Sequence, residues 1–170
     1  MAFSTYIRNV FKEHKDGRVS NIASAAVKQL DESCGQFLLD VGKRSEQLCR
    51  ERNAITIGPD VVRQAARNSM PSSEMARRLI TIADELFESN TGIIVPLRRC
   101  RIGANFSDSV KVRHTSEKML AALITAYITI VIEDAIAAVS NQKTLTSDVL
   151  SVGKKEQAEE QVPTGGNMEE

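Results

Sequence analysis

The 170-residue chain has no tryptophan, only 4% aromatic residues, four prolines and nine glycines. So few turn-formers leave little room for a many-stranded β fold, and an all-α chain is expected. Cysteine is scarce too: Cys34, Cys49 and Cys100 are odd in number and scattered at helical positions. That excludes a disulfide framework and gives no metal-ligand spacing, so buried thiols in a reducing compartment are expected. Net charge is missing, with 22 Lys and Arg against 22 Asp and Glu. The opening Met-Ala-Phe-Ser lacks a charged segment followed by an apolar run, so no signal peptide is expected. The one long apolar stretch, Met119 to Val139, carries Glu133 and Asp134 inside it and Thr125 and Thr129 along it. It reads as a buried core helix rather than a membrane span.

Catalytic signatures are absent as well. There is no Gly-rich phosphate loop, nucleophile elbow or Cys-x-x-Cys, and His14 and His114 stand apart from any carboxylate or thiol at ligand spacing. No enzyme activity, cofactor or metal is expected.

The chain is 42% apolar and 26% charged, the composition of a globular protein, but its charge is uneven. From Arg98 to Lys118 there are six bases (Arg98, Arg99, Arg101, Lys111, Arg113, Lys118) against Asp108 and Glu117, a local net of +4. After Lys155 there are five acids and no base.

A repeated grammar organises the rest: short helix, loop, long helix, short β-prone piece, short helix. Tyr6 to His14 is a short helix ending at the turn Lys15-Asp16-Gly17-Arg18, and Ser20 and Asn21 offer caps for the next. From there to about Arg50 apolar residues recur mostly at steps of three and four, a helix on the order of 40 Å long. Ala54-Ile55-Thr56-Ile57 is β-prone, Pro59 and Asp60 open a short helix to about Met70, and Pro71-Ser72-Ser73-Glu74 restarts another with a capping-box pattern. Ser89-Asn90-Thr91-Gly92 separates the halves, and the grammar repeats. Pro96 to Ala104 is a short basic helix, Val110-Lys111-Val112 is β-prone, and Thr115-Ser116-Glu117 caps a second long helix reaching about Val139. Thr144-Leu145-Thr146 and a short helix from Ser147 to Val152 complete the unit, before an acidic disordered tail over 154–170.

One long helix with a broad apolar face and two short flanking helices cannot bury that face alone; two such units crossing can. Each β-prone loop then has a partner in the other half: Arg18-Val19-Ser20 beside Thr144-Leu145-Thr146, and Val110-Lys111-Val112 beside Ile55-Thr56-Ile57. The expected fold is two helix–loop–long helix–loop–helix units packed as an intrachain pseudo-heterodimer, over 1–90 and 91–153.

That grammar resembles the histone fold. Tyr6-Ile7…Val10-Phe11-Lys12…His14-Lys15-Asp16-Gly17…Val19-Ser20 and Thr56-Ile57…Val62…Ala65…Arg67…Pro71 resemble histone 2B, including its extra C-terminal helix. Gly92-Ile93…Val95-Pro96…Arg99 and Leu120-Ala121-Ala122-Leu123-Ile124…Glu133…Ala135 resemble histone 2A. Over roughly residues 4 to 150 the chain resembles a fused histone 2B–histone 2A doublet, as known from giant viruses of the marseillevirus type. The resemblance implies a structural DNA-packaging protein. Its partners would be double-stranded DNA, a histone 4–histone 3-like doublet or tetramer and a second copy of itself, with no membrane. Its place would be the virion interior and the viral factory or host nucleus.

Cations at loops and helix ends are the expected DNA contacts, directed at backbone and shape rather than base sequence. At one end these are Lys15, Arg18 and Ser20 with Lys143 and Thr144. At the other they are Arg50, Arg52 and Thr56 with Lys111 and Arg113, and Arg98, Arg99 and Arg101 form a central set. Glu74, Glu133 and Asp134 are what the resemblance leaves of an acidic partner-docking patch, since Thr125 and Ile130 occupy its other positions. The arginine expected to enter a minor groove is replaced by Ala54, and Lys-rich tails are missing, so the grip on DNA should be weaker than that of a standard histone pair. The alternative is a non-nucleosomal histone-fold pair serving protein–protein contact in a transcription or replication assembly. A plain helical adaptor is a third.

Overall fold

The computed structural model describes residues 3–93, 95–139 and 143–150, and these are predominantly helical. The first helix, α1 (Ser4–His14), buries Ile7, Val10 and Phe11 at the three- and four-residue spacing of one helical face. Its N-terminus is capped from elsewhere in the chain. Phe3 N donates to Asp31 Oδ1 at 3.0 Å and Ser4 Oγ donates to Asp31 Oδ2 at 3.3 Å. Asp31 is itself only 6% exposed, so removing its carboxylate leaves a buried amide without a partner. Asp31→Ala should lower the unfolding free energy by about 1–3 kcal/mol, and Asp31→Asn by less because an amide oxygen still accepts. Denaturant melts of both variants check this; an Ala variant as stable as the parent would rule out the cap.

Beyond α1, the two-residue strand β1 (Asn21–Ile22) leads into α2 (Ser24–Glu51), 28 residues long and therefore about 42 Å from end to end. The expected caps Ser20 and Asn21 do not cap it; α2 starts after Ala23 with no side-chain cap. The reason is that this backbone is committed to pairing. Ser20 N and Asn21 N both donate to Lys143 O, and Ala23 N donates to Leu145 O. The strand also lies later than Arg18-Val19-Ser20, because the Asp16 carboxylate holds the Arg18 and Val19 amides at 2.9 Å each and removes them from any ladder.

Strand β2 (Thr56–Ile57) precedes α3 (Pro59–Asn68) and α4 (Ser73–Ser89). Ser72 Oγ caps α4 by accepting from Met75 N at 3.1 Å, which puts Met75 rather than Glu74 in the position a reciprocal capping-box bond requires. Asn90 ends α4 in the left-handed region and Gly92 (φ 81) completes the turn. The second half brings α5 (Leu97–Ala104), β3 (Lys111–Val112), α6 (His114–Ala138) and β4 (Thr144–Leu145). Residues 147–150 are helical; the end of that helix at Val152 and the acidic tail lie outside the described residues.

The strands pair across the chain, both times in parallel. Asn21 lies opposite Thr144 and Ile22 opposite Leu145, while Thr56 lies opposite Lys111 and Ile57 opposite Val112. The second pairing is the one the β-prone stretches suggested. Helix α2 thus runs from the β1–β4 pair to the β2–β3 pair, and α6 runs back.

Helix α6 is the spine: every residue from Met119 to Ala126 is buried, and α1, α2, α3, α4 and α5 all pack against it. Among the described residues it alone is long and apolar enough to cross a membrane, but 72% of that stretch is buried inside the fold. Two of its threonines bond within the helix, Thr125 Oγ1 donating to Ala121 O and Thr129 Oγ1 to Thr125 O. The expected Thr115-Ser116-Glu117 cap is not made. The buried Ser116 hydroxyl donates instead to Ile57 O at 2.6 Å and ties the start of α6 to β2.

Candidate nucleic-acid interface

The strand pairs decide which cations meet. At the β1–β4 end, Lys15 and Arg18 follow α1, Ser20 sits just before β1, and Lys143 and Thr144 come in from the other half. All but the half-buried Thr144 are exposed. Arg18 is already engaged: Nη2 donates to Ile136 O near the C-terminal end of α6 at 3.3 Å and stands 3.8 Å from Asp16. Cations favour helix C-termini, so Arg18 ties the α1 turn to α6. Hydrogen bonds from the Val19 and Arg18 amides, with the Arg18 charge, hold the Asp16 carboxyl below the usual carboxylate range. Lys15 and Lys143, at the same end, have no ion-pair partner among the described residues.

The β2–β3 end is different. Arg50 and Arg52 close α2, Thr56 is half-buried in β2, Lys111 is in β3 and Arg113 precedes α6. All four cations are exposed, and none has an ion-pair partner among the described residues. Nearby Glu46 is occupied by the Ser107 amide and hydroxyl, and Glu51 accepts from Gln47.

Between the ends lies α5. Arg98, Arg99 and Arg101 are exposed on it, opposite buried Cys100 and Ala104. The Arg99 guanidinium lies 5.7 Å from the centre of the Tyr6 ring, and Nη1 donates to the Tyr6 hydroxyl at 3.5 Å. Arg101 is partly neutralised by Glu117 at 3.5 Å. Tyr6, absent from the sequence-level candidates, is what brings α1 and α5 together here, and Arg8 and Lys12 add a basic i,i+4 pair on the exposed side of α1. That pair was legible from its spacing. The connectivity then runs from the β1–β4 loops along α1, across the Tyr6–Arg99 contact to α5, and on to the β2–β3 loops.

The three acids expected to dock a partner lie in different settings. Glu133 is exposed on α6 with no ion-pair partner among the described residues. Glu74 and Asp134 line a groove of about 960 Å³ between α2, α4 and α6, floored by Phe37, Met75 and Tyr127. Phe37 and Tyr127 stack there with ring centres 4.7 Å apart. Asp134 pairs with Arg78 of α4 at 3.0 Å on the surface, its side chain still 58% exposed. Burial keeps the nearby chemistry quiet. It pushes the Tyr127 hydroxyl and the Cys100 thiol up to about 12, and it raises the Cys34 thiol with help from the Asp31 charge. These thiols are free, buried and protonated at neutral pH.

Compared with protein-family models and with curated proteins, the chain matches none.

Proposed function

We propose that this chain is two histone folds in one polypeptide, histone 2B-like then histone 2A-like, and that it joins a histone 4–histone 3-like partner to wrap double-stranded DNA without sequence preference. The observation that carries this reading is the crossed pairing of loops. The loop before each long helix pairs in parallel with the loop after the other long helix, and both pairs carry exposed cations. The two pairs are separated by the length of α2, about 42 Å, on the order of one helical turn of DNA. Lys15 and Lys143 would take phosphates at one end, Arg50, Arg52, Lys111 and Arg113 at the other, and Arg98 and Arg99 between them. Backbone amides at helix N-termini would add to this. Such a protein belongs with packaged DNA, in a virion, a viral factory or a host nucleus, and two copies would complete a particle.

The test is reconstitution with a histone 4–histone 3 partner and DNA, followed by micrococcal nuclease digestion. A discrete protected fragment that requires this chain is the expected result. No protection by a folded, soluble protein would favour a histone-fold pair used for protein–protein contact. The balanced charge and the internal pairing of Arg18, Arg101 and Asp134 speak for that second reading.

A further inference from the structure

Among the described residues two large hydrophobic side chains are exposed, Ile55 at 61% and Ile102 at 67%. A lone surface isoleucine is ordinary. Both of these, however, stand inside the cationic surfaces. Ile55 lies between Arg52 and the strand paired with Lys111; Ile102 follows Arg101 and sits one helical turn after Arg98.

Ile55 is also rigidly presented. Asn53 turns the chain after α2 in the left-handed region (φ 54), and Ala54 N donates to Cys49 O at 2.8 Å. The Ile55 carbonyl accepts the Lys111 amide at 2.7 Å. The backbone is therefore pinned on both sides of a β-branched side chain that has few rotamers, so ordering it against a ligand costs little entropy. The core has no use for it, because Ile57 two residues later is fully buried and fills that end.

We infer that Ile55 is an apolar wedge for the minor groove of double-stranded DNA, pressed against sugar edges and a base step while Arg50, Arg52, Lys111 and Arg113 take the flanking phosphates. This rests on the DNA-binding reading above and adds to it a contact that no cation can make. The exposed guanidinium and ammonium groups on the loops around Ile55 select a polyanion. A single branched side chain on a loop tip suits a groove about 6 Å wide, whereas the wider major groove admits a whole helix or ribbon. Apolar wedges beside basic residues partly unstack a step and bend the duplex, which suits wrapping. Ile102 with Arg98 repeats the combination at the centre.

The experiment is equilibrium binding of the full chain to a short labelled duplex over a salt series, with I55S, I102S and R52Q, and with netropsin as a minor-groove competitor. I55S should weaken binding roughly three- to tenfold at every salt concentration and leave the salt slope unchanged, because apolar burial is lost and no phosphate contact is. R52Q should instead lower the slope by about one. Netropsin should remove the difference between I55S and the parent. I55S should melt with the parent, since Ile55 is exposed. Parent-like affinity of I55S at all salts, with R52Q still shifted, overturns the wedge and leaves DNA binding standing. Failure of the parent to bind duplex overturns both. Loss of I55S from phosphatidylserine vesicles with duplex affinity intact also overturns the wedge and assigns Ile55 to a lipid surface.

Discussion

Gly42→Ala should destabilise the protein by about 3 kcal/mol or more, lowering the melting temperature by roughly 6–12 °C, whereas Gly35→Ala on the same helix should raise it slightly. Both glycines lie inside α2, where alanine is intrinsically favoured by up to about 1 kcal/mol. Position decides the sign. At Gly35 an added Cβ meets nothing within 4 Å, so the propensity gain is free. At Gly42 it would overlap the backbone carbonyl of Ala104, an atom that cannot rotate away. Helices α2 and α5 would have to separate. A Cβ at Gly103, one residue before Ala104, would come 2.7 Å from Leu38 Cδ1, so the crossing is tight on both helices. Separation would loosen buried Leu38, Val41 and Cys100 together. Thermal melts of the two variants side by side check this, and equal melting temperatures would mean that α5 docks more loosely than its glycines require. Because α5 carries Arg98, Arg99 and Arg101, Gly42→Ala should also move the central cations without altering any of them.

Much of this was legible in the sequence, for reasons that differ element by element. The two long helices announce themselves through apolar residues at steps of three and four, and α3 through Pro59 at its first position. The β2–β3 pairing followed from two β-branched stretches in complementary places. What failed to show was local competition for backbone groups. Ser20, Asn21 and Ser116 are good capping residues, yet strand pairing and the Ile57 carbonyl claimed them first. The same holds for charge. Arg18 and Arg113 look alike in the sequence, but only the fold places Arg18 at the end of α6 and leaves Arg113 without an ion-pair partner among the described residues. Nor does the sequence show that Asp134 pairs with Arg78 of α4, 56 residues away, although its side chain stays exposed. The Tyr6–Arg99 contact spans 93 residues and no short-range pattern encodes it.

That difference between spent and free cations leads to the second large effect. Replacing Arg50, Arg52, Lys111 and Arg113 together by glutamine should lower DNA affinity at physiological salt roughly a hundredfold or more and reduce the slope of log affinity against log salt by about three to four. Each phosphate neutralised by a protein cation releases condensed counterions, so the slope counts contacts while affinity at one salt does not. The four side chains are exposed and unpaired among the described residues, so the fold should be indifferent and the melting temperature should stay close to the parent's. Arg18→Gln is the internal contrast. Its guanidinium is committed to the Ile136 carbonyl and faces Asp16, so its loss should cost stability and change the slope little. Affinity measured over a salt series for both variants separates the outcomes. If the fourfold variant keeps the parent's slope, phosphates do not touch the β2–β3 end and the cations there solvate a protein-docking surface. If Arg18→Gln lowers the slope as much as one of the four, the Ile136 contact gives way when DNA binds, and the β1–β4 end grips the backbone with three cations rather than two.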